Sequence, residues 1–230
     1  MPDIEMTVES INSIKERYPE IRQRSKEPTF LLTYGGTHYG LVTESGLSKD
    51  QAIMIENNYH ELYQVADMWV AERIEQATHD GYVTGAFGLR LRTPILSQVI
   101  LNKKNTPYEA RKEARTAGNM LGQSYGMLNN RAGIEFHERV LASEYREDIL
   151  PIAHIHDSQY FIFRDNIDVV HWINENLIEC VEWQQLPELI HENVKLSGQF
   201  FINYPDWSHE IMIPNHASKE EIKEICQNEI

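Results

Sequence analysis

The chain has 230 residues, of which 41% are hydrophobic and 24% are charged, enough for one sizeable globular domain or two lobes that share a core. No apolar run is long enough to span a membrane, and the first ten residues, MPDIEMTVES, lack the basic and apolar regions of a signal peptide, so we expect a cytoplasmic protein with reduced cysteines and no membrane partner. The formal net charge of −14 argues against a chain that binds nucleic acid on its own.

Helical patterns dominate the first half of the chain. Residues 8–34 are predicted to be helical, with Pro19 breaking the segment into two pieces. Ser48 is the predicted N-cap of a long helix over 49–79. The core residues predicted for this helix follow its spacing: Ile55, Tyr59, Leu62, Ala66, Trp69, Val70 and Ile74. Residues 81–94, with three glycines and intervening β-branched residues, indicate a hairpin or loop.

The second half mixes helices with strands. A helix is predicted over 107–143. The segment ILPIAHIHDSQYFIFRD, residues 149–165, is apolar on both sides of a short polar centre, which predicts a hairpin with His156, Asp157 and Ser158 at its bend. The remaining elements are a helix, a strand and a short polar helix over 165–183, 198–204 and 217–228. The predicted fold class is therefore α+β.

Two cations and two aromatic rings follow one another at equal spacing in the first segment: Arg22, Lys26, Phe30 and Tyr34. Positions four residues apart form one slightly drifting stripe on a helix, and these four span about 18 Å. That length suits a nucleoside triphosphate, with its phosphates on the cations and its sugar and base against the rings. Gly35 would let the chain turn away after the last ring.

The same spacing also fits an amphipathic core helix with two surface cations, and the spacing alone favours this blander interpretation. Pro28 lies within the stripe, where it removes a hydrogen bond and crowds the carbonyl of Arg24. We therefore expect a kink at Pro28 or a helix whose regular part begins near it.

The charge is unevenly distributed. Residues 1–120 hold 14 basic and 16 acidic residues, a net charge of −2, whereas residues 121–230 hold 7 and 19, a net charge of −12. Between positions 90 and 115 the basic residues are Arg90, Arg92, Lys103, Lys104, Arg111, Lys112 and Arg115. Such a strip suits a protein that touches a polyanion on one face, although charge alone favours a solvated helix surface.

The pattern Arg22-xxx-Lys26-xxx-Phe30-xxx-Tyr34-Gly35 resembles motif B of the family A (Pol I-like) DNA polymerases, which lies on the mobile fingers helix. Three further segments resemble the family in the expected order: GYVTGAFGLRLRTP at 81–94, Arg115-xxx-Asn119-xxx-Gln123, and His156-Asp157 as motif C. The resemblance covers roughly residues 20 to 210. The segment EPTFLLTYGG resembles phage members of the family more than bacterial ones.

This resemblance implies the C-terminal part of a right-hand polymerase. It implies a helical fingers portion over 1–95 and, over 96–230, a palm portion with part of an antiparallel sheet. That palm portion would contain the minor-groove helix, the motif C hairpin and a C-terminal tail.

The resemblance also implies roles for the motif B residues. Arg22 and Lys26 would grip the incoming dNTP, and Lys26 would be placed to protonate the pyrophosphate leaving group. Phe30 would pack on the sugar, where Phe rather than Tyr is associated with rejection of dideoxynucleotides. Tyr34 would stack beside the template base.

The remaining matched residues would act on DNA and metal. By resemblance, Arg115, Asn119, Gln123 and His156 would contact the primer–template duplex near the primer end. Minor-groove acceptors are present on every base pair, so such contacts check shape rather than sequence. Asp157 would bind Mg²⁺, of which the family uses two ions.

The chain departs from the family at its metal site. Nothing before Arg22 resembles motif A, the strand that supplies a second metal-binding Asp. Ser158 stands where the family has Glu after the motif C Asp, and Glu5 stands where a fingers His is expected. Two-metal chemistry needs at least two carboxylates, which Asp157 alone does not supply.

We therefore expect one subunit of a split polymerase. A second polypeptide would bring motif A, the thumb and the exonuclease, and the two Mg²⁺ ions would be shared between the chains. The location would be the bacterial host cytoplasm if the protein is phage-encoded.

Two alternatives stay open. A fragment of a phage-type single-subunit RNA polymerase is favoured by Ser158, because His-Asp-Ser is the usual motif C there, and is disfavoured by Phe30 and by the Arg115 helix. A non-catalytic replisome scaffold has less reason to retain the triphosphate stripe and Asp157.

Overall fold

The described residues of this computed structural model form helices and three two-stranded antiparallel sheets, which confirms the predicted α+β class. The structure describes residues 3–5, 7–101, 105–192 and 194–229. The chain divides into two compact units, Met1–Tyr125 and Gly126–Ile230. Within the described ranges, no helix is both long enough and apolar enough to cross a membrane.

The first unit is mainly helical. Its helices are α1 (Val8–Asn12), α2 (Ile14–Arg17), α3 (Pro19–Thr33), α4 (His38–Ser45), α5 (Lys49–Leu62), α6 (Gln64–Asp80) and α7 (Tyr108–Gln123). Strands β1 (Tyr82–Thr84) and β2 (Arg90–Arg92) pair antiparallel with Val83 opposite Leu91. They form the hairpin that the glycine-rich segment 81–94 predicts.

The N-terminal helical segment is interrupted more often than its sequence predicts. Pro19 is the first residue of α3, where its missing N–H would have no helical partner anyway. A further interruption at Ser13 separates α1 from α2, so the segment has three pieces instead of two. The alternative that regular helix begins near Pro28 is wrong, because α3 runs through Pro28 to Thr33; a kink there stays a prediction.

Ser48 caps α5 as predicted. The Gln51 N–H donates to Ser48 Oγ at 3.3 Å, and the Ser48 N–H donates to Gln51 Oε1 at 3.1 Å. This reciprocal capping box satisfies two backbone donors that the first turn of a helix otherwise leaves without partners.

Ser48→Ala is expected to lower the free energy of unfolding by about 1 kcal/mol, because the exposed cap is lost while the core stays intact. Urea denaturation of the full chain measures the change. Ser48→Asp, which keeps an acceptor at the cap, should stay close to wild type. Equal losses in the Ala and Asp variants would show that the cap is not what stabilises α5.

The single helix predicted over 49–79 is two helices. Tyr63 leaves helical geometry, with φ −103° and ψ 21°, and separates α5 from α6. An interruption of this kind shifts the phase of the helical repeat, so apolar spacing counted across it does not describe one face. Ile74 is buried as predicted, but Leu62 is 74% exposed and Ala66 is exposed, so those two core predictions are wrong.

Two apolar clusters stabilise the first unit. One joins α3, α4 and α5 through Leu32, Leu41 and Ala52. The other joins α6, the β1–β2 hairpin and α7, and its buried members are Ile74, Ala77, Val83, Leu96, Ala110, Ala117 and Leu121. The small residues Ala110 and Ala117 on α7 allow close packing on this side, which fixes the opposite side of α7 toward solvent.

The second unit packs helices against two hairpins. Its elements are α8 (Met127–Ala142), β3 (Ile149–Ile155), β4 (Ser158–Phe163), α9 (Ile167–Val181), β5 (Phe200–Asn203), β6 (Glu210–Ile213) and α10 (Lys219–Glu229). Strand β3 pairs with β4 and β5 pairs with β6, both antiparallel. Strand β6 was not predicted from the sequence, because its four residues lie outside the apolar run that marks β5.

The helix predicted over 107–143 is also two helices. A 3-10 turn at Ser124–Gly126 separates α7 from α8. The buried Ser124 side chain donates to the Leu121 carbonyl at 2.9 Å and accepts from the Ala86 N–H at 2.8 Å. A serine that bonds backbone groups competes with the helical hydrogen-bond pattern; because the Ala86 partner is 38 positions away, no local pattern predicts the interruption.

Phe136 on α8 is the centre of the second core. It is fully buried, and its ring contacts Phe161 on β4 edge to face and Trp172 on α9, with centroids 5.0 and 5.8 Å apart. These contacts hold α8 and α9 against the inner face of the β3–β4 hairpin. The boundary between the units falls at Tyr125 and Gly126, whereas the predicted fingers (1–95) and palm (96–230) portions are functional divisions that stay a prediction.

Candidate active site

Of the predicted triphosphate stripe, Arg22, Lys26 and Phe30 lie on α3 and Tyr34 is its C-cap; all are exposed except Lys26, which is half-buried. Leu32 faces the core, whereas the rings of Phe30 and Tyr34 are 57% and 43% exposed. Among the described residues, the side chains of Arg22 and Lys26 have no ion-pair partner. A core helix that used these positions for packing would bury both rings, which the structure does not show; α3 does pack Leu31 and Leu32 into a core cluster, and the use of the stripe as a triphosphate site stays a prediction.

The helix carrying the stripe ends in a Schellman motif. Tyr34 is its C-cap, and Gly35 follows in the left-handed region with φ 70°. The Gly35 N–H donates to the Leu32 carbonyl at 2.9 Å and the Gly36 N–H donates to the Leu31 carbonyl at 2.8 Å. Glycine adopts this φ without strain, so Gly35 does turn the chain away after the last ring.

Arg115 joins the end of the stripe to α7. Its Nε donates to the Tyr34 carbonyl oxygen at 3.1 Å. Its aliphatic stem lies so close to Gly35 that a Cβ there would be 3.2 Å from Arg115 Cγ. The structure therefore brings together residues from two motifs that are 81 positions apart.

The predicted minor-groove residues share one side of α7. Arg115, Asn119 and Gln123 are spaced by four, with Arg115 and Gln123 exposed and Asn119 half-buried. The buried face of the same helix carries Ala117 and Leu121. The three polar groups therefore face away from the core of the first unit.

The predicted basic strip is only partly within the described residues, because Lys103 and Lys104 lie outside them. Arg90, Arg92, Arg111 and Lys112 are exposed, and none has an ion-pair partner in the described part of the chain. The Arg90 guanidinium lies 4.6 Å from the centroid of the Tyr82 ring across the β1–β2 hairpin. Within the described ranges, these four side chains therefore present exposed positive charge.

The predicted bend in the second unit is a two-residue turn between β3 and β4. His156 and Asp157 form the turn, and Ile155 pairs with Ser158, so Ser158 is already the first residue of β4. His156 has a left-handed φ of 54°, which is uncommon for a residue with a side chain. His156, Asp157 and Ser158 are all exposed.

Three residues near this turn were not predicted from the sequence. Asn129 on α8 and Gln159 on β4 hydrogen bond each other, with Gln159 Nε2 donating to Asn129 Oδ1 at 2.8 Å. Trp207, in the turn between β5 and β6, lies 4.8 Å from the Tyr160 ring, centroid to centroid. Both contacts join segments distant in sequence, so no local pattern indicates them.

The turn that carries Trp207 is held by Asp206. Hydrogen bonds from the side chains of Ser208 and His209 and from the Ser208 N–H hold the pKa of Asp206 below its ordinary value. The Ser208 Oγ and His209 Nδ1 lie 2.7 and 2.9 Å from Asp206 Oδ1. Trp207 is 57% exposed above Tyr160.

A sequence profile built on known proteins identifies the family of this chain. The sequence profile of DNA polymerase family A matches residues 4–200, most of the chain. The chain belongs to DNA polymerase family A. Strand β6 and helix α10 lie beyond the matched range.

Two relatives of this family A chain are much longer than it is. A stretch of 83 residues, 36% of the chain and 9% of the relative, is 31% identical to DNA polymerase I of Mycobacterium leprae (strain TN). The POL domain of Pol1 from M. smegmatis, in complex with DNA primer-template and dNTP, is similar with a TM-score of 0.62. That likeness is 22% identical, covers 80% of this chain and 30% of the other, and shows the shared fold.

The donor set of this family A chain does not complete a metal site. In the described ranges, no group of three or more His, Cys, Asp or Glu side chains is arranged to hold an ion. Asp157 is the carboxylate at the turn; its neighbour His156 offers a ring nitrogen, which Mg²⁺ disfavours, and Ser158 offers a hydroxyl oxygen without the negative charge of a carboxylate. The described residues therefore do not by themselves hold two Mg²⁺ ions.

Proposed function

We propose that this chain is the part of a DNA-directed DNA polymerase that binds the incoming dNTP and the primer–template and contributes Asp157 as one metal ligand. The observation that carries the proposal is the stripe along α3 and its C-cap, whose two rings and Arg22 are exposed and whose two cations have no ion-pair partner among the described residues. Membership of the chain in family A supports the assignment of this stripe to dNTP binding. The predicted roles of all nine site residues are part of the proposal.

The stripe suits a triphosphate laid along α3. Arg22 offers a planar fork of donors to phosphate oxygens, and Lys26 offers a compact charge that is also able to donate a proton to the leaving pyrophosphate. Phe30 offers a flat apolar surface to the sugar, and Tyr34 offers its ring to the base pair. The bond from Arg115 to the Tyr34 carbonyl links this end of the stripe to the helix proposed to read the primer–template.

A second polypeptide is part of the proposal. Nucleotidyl transfer with two Mg²⁺ ions needs at least two carboxylates to hold the two metal ions about 3.5–4 Å apart. At the turn, the described residues supply Asp157 alone. We propose that the partner chain contributes a motif A carboxylate, the thumb and the exonuclease, and that the complex works in the cytoplasm of a phage-infected host.

Primer extension separates this function from its alternatives. The complex isolated through this chain is assayed on a primed template with dNTPs and, separately, with rNTPs. A DNA polymerase extends with dNTPs, a fragment of an RNA polymerase prefers rNTPs, and a replisome scaffold extends with neither. Extension with rNTPs alone, or with neither, would overturn the proposal.

Phe30→Tyr is expected to ease the incorporation of dideoxynucleotides by at least about tenfold. The added phenol hydroxyl supplies a polar contact near the position of the absent 3′-hydroxyl, and a gain of about 1.4 kcal/mol, the scale of one good hydrogen bond, corresponds to tenfold. The measurement is the ratio of dNTP to ddNTP incorporation by the assembled enzyme. An unchanged ratio would place Phe30 away from the sugar.

A further inference from the structure

The turn that presents Asp157 is a strained one. His156 has a φ of 54°, and a non-glycine residue in the left-handed region costs about 1 to 2 kcal/mol. Such a conformation persists only where surrounding contacts determine it. The contacts that hold this turn therefore also set the position of the carboxylate that follows it.

Asn129 on α8 makes contacts that hold this turn. Its Nδ2 lies 2.8 Å from His154 Nε2 and 3.3 Å from the carbonyl oxygen of His156. An amide nitrogen carries only donors, so the ring nitrogen of His154 must accept. The Asn129 side chain thus bonds both His156, the first of the two turn residues, and His154 on β3, the strand that leads into the turn.

Gln159 on β4 fixes the orientation of Asn129. The Gln159 Nε2 donates to Asn129 Oδ1 at 2.8 Å and to the Asn129 carbonyl at 3.1 Å. One helical turn later, a Cβ at Gly133 would be only 3.0 Å from Gln159 Oε1, so the glycine leaves room for this side chain. Because Gln159 occupies the Asn129 oxygen, the Asn129 nitrogen is directed toward the turn.

We propose that Asn129 and Gln159 are positioning residues that set the Asp157 carboxylate through the backbone of the turn. The inference rests on the proposed function of Asp157 as a metal ligand. Asn129 and Gln159 are distinct from the predicted site residues, and they act without touching substrate or metal. Asn129 reaches the turn from a helix and Gln159 from the strand that leaves it, so together they span the turn.

Packing alone does not account for this pair. Asn129 and Gln159 are both half-buried, and two apolar side chains of the same size would cover the same surface with nearly the same stability. Only a donor at position 129, held in orientation by its partner, is able to bond the His156 carbonyl. A purely structural role and a positioning role therefore predict different results for an apolar replacement.

The test is the double variant Asn129→Leu/Gln159→Leu in the complex isolated with the partner chain. The melting temperature should stay within about 4 °C of wild type, the shift that about 1 kcal/mol produces in a chain of this size. The single-turnover rate of nucleotide addition should fall by about 10- to 100-fold, because a misplacement of about 1 Å costs up to 100-fold. The dissociation constant for dNTP should be unchanged.

Asn130→Leu is the matched control, because Asn130 is the next residue on α8, is exposed, and should keep the wild-type rate. The single variant Gln159→Leu should show an intermediate loss of rate, and it serves as the test if the double variant does not fold. A wild-type rate in the double variant would overturn the inference. The inference would also be overturned if the double variant lost rate in proportion to a lowered melting temperature. A weakening of dNTP binding as large as the loss of rate would overturn it as well.

The Asp157→Asn variant separates a failure of the positioning inference from a failure of the proposed function. If Asp157→Asn is inactive and the double variant is fully active, only the positioning inference fails. If Asp157→Asn is as active as wild type, the proposed function fails and the positioning inference fails with it.

Discussion

Asp157→Asn in the assembled polymerase is expected to lower the single-turnover rate of nucleotide addition by about two to three orders of magnitude, the scale for losing one strong electrostatic stabiliser. The substitution keeps the size of the side chain and one oxygen but removes the negative charge that holds a divalent cation. Folding and partner binding should survive, because Asp157 is exposed in a two-residue turn. Quench-flow extension of a labelled primer measures the rate.

Two comparisons make the Asp157 result specific. DNA affinity should fall little or rise, since a negative charge near phosphates is removed. Ser158→Ala should have a far smaller effect on the rate, because a hydroxyl is a poor ligand beside a carboxylate. A near-normal rate for Asp157→Asn together with an inactive Ser158→Ala would mean that the motif C metal ligand is assigned to the wrong residue.

Lys26→Ala is expected to lower the same single-turnover rate by about 100-fold or more. The variant removes both a cation from the triphosphate site and the proposed proton donor to the leaving pyrophosphate, and a general acid contributes about 10²- to 10⁴-fold. Lys26→Arg should recover dNTP affinity better than it recovers rate, because a guanidinium binds phosphate but does not give up a proton.

Arg24→Ala is the matched control for Lys26. Arg24 is exposed on α3 and lies about 200° around the helix from Lys26, so its loss should leave rate and dNTP affinity within about twofold of wild type, the range of a screened surface charge. Equal effects of Arg24→Ala and Lys26→Ala would mean that α3 attracts DNA or nucleotide by net charge, with no specific triphosphate stripe.

The local elements of this fold were predictable because local chemistry determines them. Ser48 caps α5 with its own neighbour Gln51, and Gly35 ends α3 in a left-handed turn. The short polar centre at His156 and Asp157, between two apolar runs, predicts the β3–β4 hairpin. Each of these signals lies within a few residues of the feature it predicts.

The features that sequence reasoning missed depend on distant partners. Ser124 interrupts the long second-half helix because its hydroxyl bonds Ala86, 38 positions away. Asn129 is near the turn only because α8 packs under the β3–β4 hairpin and Gln159 bonds it, 30 positions away. The exposure of Ala66 has a different, local cause: it follows the interruption at Tyr63, which the apolar spacing alone does not reveal.

The most direct test of the account is primer extension with and without the partner chain. The chain 1–230 is purified alone and also isolated by affinity from its source, and the co-purifying polypeptide is identified by mass spectrometry. We predict no extension by the chain alone, extension with dNTPs by the complex, and a motif A carboxylate in the co-purifying chain. Robust extension by purified 1–230 alone would contradict the account.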